Sequence, residues 1–391
     1  MVALSVGPGA TLTRVGTVGD RGPGSARLGR LLAGAGNLAS VGTAVVEGLS
    51  PYCAFDHACL GTTDPDTQLL TSLCQVGDRL DGVGSYLEIE YTQPDAIKFW
   101  ALGRSRTPVG ALVESTGGEP TRSPRYRDIL RPQGYADEAR VALARDGVLW
   151  GILALRRREG RAAFSPEETS VLSHASAPLT EAVLRLAVPT TEDRPQPDDR
   201  PQPDDRPQPD DGSAETGMVV VDDRGRITSV SPRAASLVEQ LSSGWPSPPI
   251  VDMVVTAARA APDGQSPEAR VRCASGMWLS VSANRLSGPS GHQFVVLLRR
   301  SRPAEVAPLL FRASGLTSRE IDVAGAVWRQ LSTEQVAAEL YISRYTVQDH
   351  LKSIFAKMGV RSRRELLAKI LAEGVLSGSS DRGGVTAAEE V

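Results

Sequence analysis

The sequence predicts an α+β protein of several domains, in which two mixed α/β domains precede an all-α segment of four short helices. Two stretches that mix short alternating apolar runs, turn residues and helical patterns predict the α/β domains. A repeat rich in proline and aspartate at residues 194–211 separates them. Closely spaced helix-start signals between residues 316 and 371 indicate the all-α segment. The length of 391 residues fits two to three domains.

The helices of the C-terminal segment are predicted from their caps. In a capping box, the hydroxyl of the first residue caps the helix, and an acid or amide side chain three positions later reaches back to the backbone N–H of that first residue. This pattern occurs at Thr317–Glu320, Ser332–Gln335 and Ser362–Glu365. Ser343 is a fourth N-cap. We expect the second helix over residues 333–340 and the third over 344–358, where Gly359 supplies the left-handed residue that ends a helix.

The third helix has one apolar and one polar face. Its apolar residues recur at helical spacing and predict a buried stripe of Val347, Leu351, Ile354 and Met358. The opposite face carries side chains that can form hydrogen bonds. A short helix, a tight turn and a longer helix with a polar face is the arrangement that places one helix in the major groove of DNA. The sequence therefore predicts a helix-turn-helix.

Positive charge is concentrated in the same segment. Residues 341–371 hold seven basic and two acidic residues, a net charge of +5, whereas the whole chain has a net charge of −3. Three of the four lysines lie there, and the fourth is Lys98. DNA phosphates attract such a cluster. Charge alone leaves open an ordinary helical core with a basic surface.

The order of residues in this segment resembles the LuxR-type helix-turn-helix. The matching positions are Leu316-Thr317, Arg319-Glu320, Ile342-Ser343, Thr346-Val347, His350, Lys357-Met358-Gly359-Val360 and Ser362-Arg363. The resemblance covers residues 309–374, with the helix-turn-helix at 333–352. It implies a DNA-binding regulator, which we expect to bind promoter half-sites in double-stranded DNA as a homodimer. The excess of 39 arginines over 4 lysines indicates a bacterial source, and four cysteines without a CxxC pair favour a cytoplasmic, nucleoid-associated location. Gln330 and Tyr341 stand where the family usually has glycine or another small turn residue.

The polar face and the resemblance together select candidate DNA-binding residues. Those expected near base edges are Arg344, Gln348, Asp349 and Lys352. Those expected at phosphates are Ser343, Tyr345, Thr346, Lys357, Arg361 and Arg363, and Ser353 completes the polar face. Bidentate pairing of lysine or arginine with guanine, and of glutamine with adenine, is the physical route to sequence choice. We expect no catalytic residue, no cofactor and no metal ligand.

The first α/β domain is predicted over residues 25–188, after a disordered leader at 1–24. We expect one helix over 26–50, a hairpin around Asp64-Pro65-Asp66, and a second hairpin with its turn at Asp146-Gly147. The run Phe164-Ser165-Pro166-Glu167-Glu168 then starts a long helix. This order resembles a GAF domain. The resemblance implies a sensory or dimerising module, with a pocket under its sheet for a small-molecule ligand that the sequence does not name.

A linker and a second α/β domain follow. Residues 189–213 include RPQPDD three times, which predicts an extended, solvated spacer. Residues 214–301 combine two strands joined at a D-x-x-G-R-I turn, a helical part and three further strands. This pattern resembles a PAS domain, which implies a small-molecule or protein-interaction sensor. The tail at 375–391 lacks periodicity, and we expect it to be disordered.

Other classes of function lack their sequence features. A signalling enzyme with such sensor modules needs a catalytic domain, but the sequence has no G-x-x-x-x-G-K-[ST] loop, no kinase signature and no His/Asp metal cluster. A receiver domain needs a phosphoacceptor aspartate followed further along the chain by a lysine. Lys98 is the only lysine before residue 300, and no such arrangement surrounds it. Neither a membrane-spanning run nor a CxxC pair occurs. The alternative that stays open is a sensory scaffold whose C-terminal helices bind a protein such as RNA polymerase.

Overall fold

A computed structural model describes the chain over residues 23–77, 80–187, 216–241, 249–262, 264–273, 276–288 and 291–375. The leader up to residue 22, the linker at 189–213 and the tail from residue 376 lie outside the described residues. Internal contacts divide the chain into two units. The first comprises the described residues up to Val271 together with Val281–Leu298, and the second comprises Arg272–Ser280 together with the residues from Arg299 onward.

Five antiparallel strands form the first sheet, in the order β2-β1-β5-β4-β3. They are β1 (His57–Thr63), β2 (Leu70–Gly77), β3 (Val109–Ala111), β4 (Tyr135–Arg145) and β5 (Val148–Arg158). The two predicted hairpins are confirmed as β1–β2 and β4–β5. At the second turn Asp146 and Gly147 both adopt positive φ, which suits the twist of a tight hairpin.

Helices cover both faces of this sheet. They are α1 (Pro23–Ala33), α2 (Leu38–Leu49), α3 (Val83–Thr92), α4 (Phe99–Arg104), α5 (Leu112–Ser115) and α6 (Pro166–Ala187). The α6 start is as predicted, since Glu168 accepts the Ser165 backbone N–H at 2.9 Å. The single helix predicted over residues 26–50 is wrong. Asn37 interrupts it, because its side chain accepts the Ser40 N–H at 2.9 Å and starts a new helix.

The second sheet also has five strands, in the order β7-β6-β10-β9-β8. They are β6 (Gly217–Val221), β7 (Ile227–Val230), β8 (Glu268–Arg272), β9 (Trp278–Gly288) and β10 (Gly291–Arg300), and they are accompanied by α7 (Pro232–Leu241) and α8 (Pro249–Ala260). The β6–β7 and β6–β10 pairs are antiparallel. All five predicted strands are present. The extent of α8, which packs against α3 and β2, was not predicted.

An arginine from the second sheet is bound by the turn between β1 and β2. The Arg270 guanidinium donates to both carboxylate oxygens of Asp64, at 2.7 and 2.8 Å, and also to Asp66. Its backbone N–H donates to Asp64 at 2.8 Å. Asp64 is buried, so these bonds satisfy a carboxylate that has little access to water. The two sheets of the first unit are therefore joined by a directed, charge-assisted contact.

Three arginines converge on one buried carboxylate beneath α3 and α4. Glu138 lies 2.9 Å from Arg140 and from Arg156, and 2.7 Å from Arg125. Glu90 and Asp95 bind Arg140 and Arg125, so the three positive charges meet three negative ones. Burial alone would raise the pKa of Glu138, but the three guanidinium groups hold that pKa well below its usual range. Glu138 is therefore ionised, and its charge keeps the arginines paired.

The described part of the second unit contains five helices around one apolar core. They are α9 (Pro303–Ala313), α10 (Ser318–Trp328), α11 (Thr333–Glu339), α12 (Arg344–Met358) and α13 (Arg363–Val375). The four predicted helices are confirmed as α10 to α13, with the predicted hydroxyl caps formed at Thr317, Ser332 and Ser343. Helix α9, which packs against α10 and α13, was not predicted. The core is built mainly from small aliphatic side chains of these helices.

We expect Glu138→Gln to destabilise the first sheet by about 3–5 kcal/mol, because it leaves three buried guanidinium groups short of one negative charge. Hydrogen exchange of β4 and β5 peptides in increasing urea measures this loss. Glu119→Gln is the matched control, since Glu119 forms an exposed ion pair with Arg122. The control should change stability by no more than about 0.5 kcal/mol. Equal urea midpoints for the two variants would contradict the assigned role of Glu138.

Candidate nucleic-acid interface

The turn between α11 and α12 is closed by backbone hydrogen bonds. The Ile342 N–H donates to the Ala337 carbonyl at 3.0 Å, and the Tyr341 N–H donates to the Ala338 carbonyl at 3.4 Å. This pair of bonds is the Schellman motif, which requires a left-handed residue after the helix. Tyr341 is that residue, with φ of 55°. The motif fixes the direction in which the chain enters α12.

Side chains of α12 divide between the core and solvent as predicted. Val347, Leu351, Ile354 and Met358 are buried. The exposed residues on the opposite side and at the helix start, here called the α12 surface, are Ser343, Arg344, Tyr345, Thr346, Gln348, Asp349 and Lys352. Seven of the eleven candidate residues therefore lie together on one continuous stretch of exposed helix.

The start of α12 is capped but still open to solvent. The Thr346 N–H donates to the Ser343 hydroxyl at 3.1 Å, and both residues are exposed. The first turn of a helix presents N–H groups without helical partners and a partial positive charge, and both features favour a nearby anion. Arg344 adds a full positive charge at this end. The arrangement suits a phosphate group.

The charged side chains of the α12 surface form only loose ion pairs. Arg344 lies 3.3 Å from Glu334, and Lys352 lies 3.6 Å from Asp349. All four side chains are more than half exposed. Ion pairs at such sites are worth about 0–1 kcal/mol, so an incoming phosphate or base can replace the carboxylate at small cost.

Three of the other candidate residues have partners inside the domain. The Ser353 hydroxyl donates to Glu320 at 2.5 Å, and the Lys357 ammonium donates to Glu320 at 2.7 Å. Arg363 donates to the Leu331 carbonyl at 2.7 Å. Arg361, the eleventh candidate, is exposed after the end of α12.

Glu320 joins the start of α10 to the second half of α12. Besides Ser353 and Lys357, its carboxylate accepts the Thr317 N–H at 2.6 Å in the capping box. Burial alone would raise the pKa of Glu320, but the hydrogen bonds from Lys357, Ser353 and Thr317 lower it to about 2. From the sequence, Glu320 was predicted only as part of the capping box with Thr317. Its contacts with α12 could not be predicted from local spacing.

We expect Glu320→Gln to loosen α12, because the neutral amide cannot pair with the Lys357 ammonium. Because folding lowers the pKa of Glu320, its ionised carboxylate stabilises the fold fully at pH values above the ordinary pKa of 4.5. This contribution is lost as the pH falls towards about 2. The stability difference between wild type and variant should therefore be largest above about pH 5 and should shrink at lower pH. Urea unfolding at several pH values, followed by hydrogen exchange of α12 peptides, measures it.

The control for this experiment is Glu334→Gln, which removes an exposed carboxylate from the first turn of α11. It should leave exchange in α12 close to that of wild type at every pH. If the stability difference between wild type and Glu320→Gln does not change with pH, the ionised form of Glu320 is not what links α10 to α12.

Within the described ranges, no group of three or more His, Cys, Asp or Glu side chains is placed to hold a metal ion. The four cysteines are buried and unpaired with one another. In the part of the chain that the structure describes, no helix is long and apolar enough to cross a membrane.

Solved structures similar to this chain have low overall similarity to it. A VqmA–ligand–DNA complex from Vibrio cholerae is 17% identical, with 42% of this chain and 85% of that chain covered and a TM-score of 0.21. A phage VqmA–DPO complex has the same identity and TM-score, with 42% and 84% covered. The Vibrio cholerae VqmA dimer without target DNA, described as a LuxR-type receptor, is 14% identical, with 42% and 86% covered and a TM-score of 0.18. Such TM-scores support no conclusion about this chain.

The C-terminal helices match a known family directly. Residues 314–370 fit the family model described as bacterial regulatory proteins, luxR family. The match begins just before α10 and ends within α13, so it covers α11, the turn and α12 completely. Residues 314–370 are therefore a helix-turn-helix domain of the luxR family.

Proposed function

We propose that the protein is a sequence-specific, DNA-binding transcription regulator whose helix α12 enters the major groove. The observation that carries this proposal is the α12 surface, where side chains able to contact bases and phosphates share one exposed stretch of helix in a luxR-family domain. One such helix reads few base pairs, so specific binding requires two copies on two half-sites. The proposed DNA-bound form is a homodimer.

The proposed roles follow from position and chemistry. Arg344, Gln348, Asp349 and Lys352 contact base edges, since they are exposed along α12 and carry the required donors and acceptors. Ser343, Tyr345, Thr346 and Arg361 contact phosphates and sugars. Ser353, Lys357 and Arg363 were expected to contact DNA as well. The bonds of Ser353 and Lys357 to Glu320 favour positioning α12 as their main role. The bond from Arg363 to the Leu331 carbonyl favours holding α13 against the start of α11.

The GAF-like (residues 25–188) and PAS-like (214–301) modules are proposed to regulate DNA binding. Beneath α3 lies a cavity of about 20 Å³. It is lined by Gln75, Tyr86 and Arg156, among others, and within the described residues the Gln75 Nε2 has no hydrogen-bond partner. This volume suits a single water molecule, so a larger ligand requires α3 to move.

Selection of double-stranded DNA from a random pool by the full-length protein tests the proposed function. Enrichment of an inverted repeat is the expected result, because a symmetric dimer binds two related half-sites. Enrichment of an unrepeated sequence would contradict the dimer. If no sequence is enriched at low salt, the DNA-binding proposal fails, and a C-terminal domain that binds a protein such as RNA polymerase becomes the better explanation.

We expect substitutions of base-contacting and phosphate-contacting residues to have different effects on the enriched duplex. Lys352→Ala should cost about 1–3 kcal/mol of binding free energy and relax the preference at one base position. Arg361→Ala should weaken binding to all sequences alike and reduce the slope of log affinity against log salt by about 1. Fluorescence anisotropy at several salt concentrations measures both quantities.

Arg329→Ala is the matched control for the loss of one positive charge. Arg329 lies in the same domain, and its guanidinium is paired with Glu339 at 2.5 Å. The control should change neither the sequence preference nor the salt slope. A Lys352→Ala variant that binds like wild type would show that α12 docks on DNA through another side.

A further inference from the structure

Four helices of the second unit end in the same backbone motif. In each, a backbone N–H beyond the helix end donates to the carbonyl five residues earlier, as those of Leu316, Leu331, Ile342 and Val360 do. The residue before each donor has positive φ, and these residues are Gly315, Gln330, Tyr341 and Gly359. Glycine adopts this conformation freely, whereas in other residues the Cβ atom makes it sterically unfavourable. Two of the four motifs are therefore strained, and they lie on either side of α11.

Tyr341 combines this strain with extreme exposure. Its side chain is 94% exposed, which is the highest value among the exposed large apolar residues of the described chain. Within the described residues its hydroxyl has no hydrogen-bond partner, and only its backbone N–H is bonded. An exposed aromatic ring at positive φ stabilises neither the turn nor the core. Unfavourable backbone conformations of this kind persist mainly where they serve function.

The surrounding structure holds the backbone at Tyr341 in a defined place. Arg319 donates to the Leu340 carbonyl at 2.5 Å, directly before Tyr341. Ile342, directly after it, packs against the core of the unit, and Ser343 caps α12. Tyr341 thus protrudes from a turn that is fixed on both sides. It lies two residues before Ser343, where the α12 surface begins, and Tyr345, which is 83% exposed, follows four residues later.

We propose that Tyr341 is a further DNA-contacting residue, whose hydroxyl donates a hydrogen bond to a backbone phosphate while its ring packs against the adjoining deoxyribose. This inference rests on the proposed DNA-binding function. A phenol suits the role because it offers a donor for the phosphate oxygen and an apolar face for the sugar. The contact carries no base identity. It would instead fix the register of α12 on the duplex and raise affinity for all sequences.

The test compares two variants that remove the same strain. Tyr341→Gly and Gln330→Gly each place glycine at a left-handed position, and Gln330 is also exposed. Both should melt at or above the wild-type temperature, since glycine relieves the backbone penalty. The probe is the duplex that the full-length wild type enriches most from a random pool, and binding is measured by anisotropy at one fixed salt concentration.

Tyr341→Gly should weaken binding about tenfold, and Tyr341→Phe, which keeps the ring, should weaken it about threefold to fivefold, the range expected for one hydrogen bond. Gln330→Gly should stay within about twofold of wild type. Wild-type affinity in Tyr341→Gly would overturn the inference. An equal loss of affinity in Gln330→Gly would also overturn it, because the loss would then come from the rigidity of the turns and not from the phenol.

The outcome also separates this inference from the function on which it rests. If the wild-type chain enriches a duplex and Tyr341→Gly binds it equally well, the DNA-binding function stands and the role of Tyr341 fails. If the wild-type chain enriches none, both fail together. A loss that varies with base sequence would contradict a contact to the sugar-phosphate backbone alone.

Discussion

The bond between Glu320 and Lys357 is the interaction on which the C-terminal domain depends most. Glu320 belongs to the first turn of α10, whereas Ser353 and Lys357 belong to the second half of α12. Since the buried carboxylate also closes the α10 cap, one side chain fixes both the start of one helix and the orientation of another. A recognition helix must be held to a small tolerance if its side chains are to meet base edges. This constraint explains why Ser353 and Lys357 of α12 bind a buried carboxylate of the domain.

Both units use a buried carboxylate in this way, with different surroundings. Glu138 is enclosed by three arginines and bridges strands β4 and β5 to the segment that carries Arg125. Glu320 has one ammonium partner, and neutral donors satisfy the rest of its oxygens. A buried ion pair gives little net stability compared with apolar packing, but removing one partner is strongly unfavourable. Such groups therefore restrict the number of alternative packings, which serves a domain that must present a fixed surface.

Local features of the fold could be predicted from the sequence, and contacts between distant segments could not. The caps at Thr317, Ser332 and Ser343 and the β4–β5 turn depend on residues a few positions apart, so their spacing is visible in the sequence. Glu138, Arg140 and Arg156 alternate along strands as residues on a solvated face do. Only the placement of α3 and α4 over them shows that they are buried. For the same reason Ser353 and Lys357 could not be distinguished from the exposed residues of α12.

Gln330 and Tyr341 depart from the usual luxR-family pattern, and the structure gives a physical reason to distinguish them. In the sequence each is only a residue where a small one is usual. The structure shows that both adopt the left-handed conformation that Gly315 and Gly359 adopt without strain. The same backbone penalty is thus present twice, but only at Tyr341 does a large exposed ring accompany it. Gln330 has the same backbone strain but no aromatic ring. The geometry of the turn alone therefore does not account for a tyrosine at position 341. The side chain itself must supply the reason for its position beside α12.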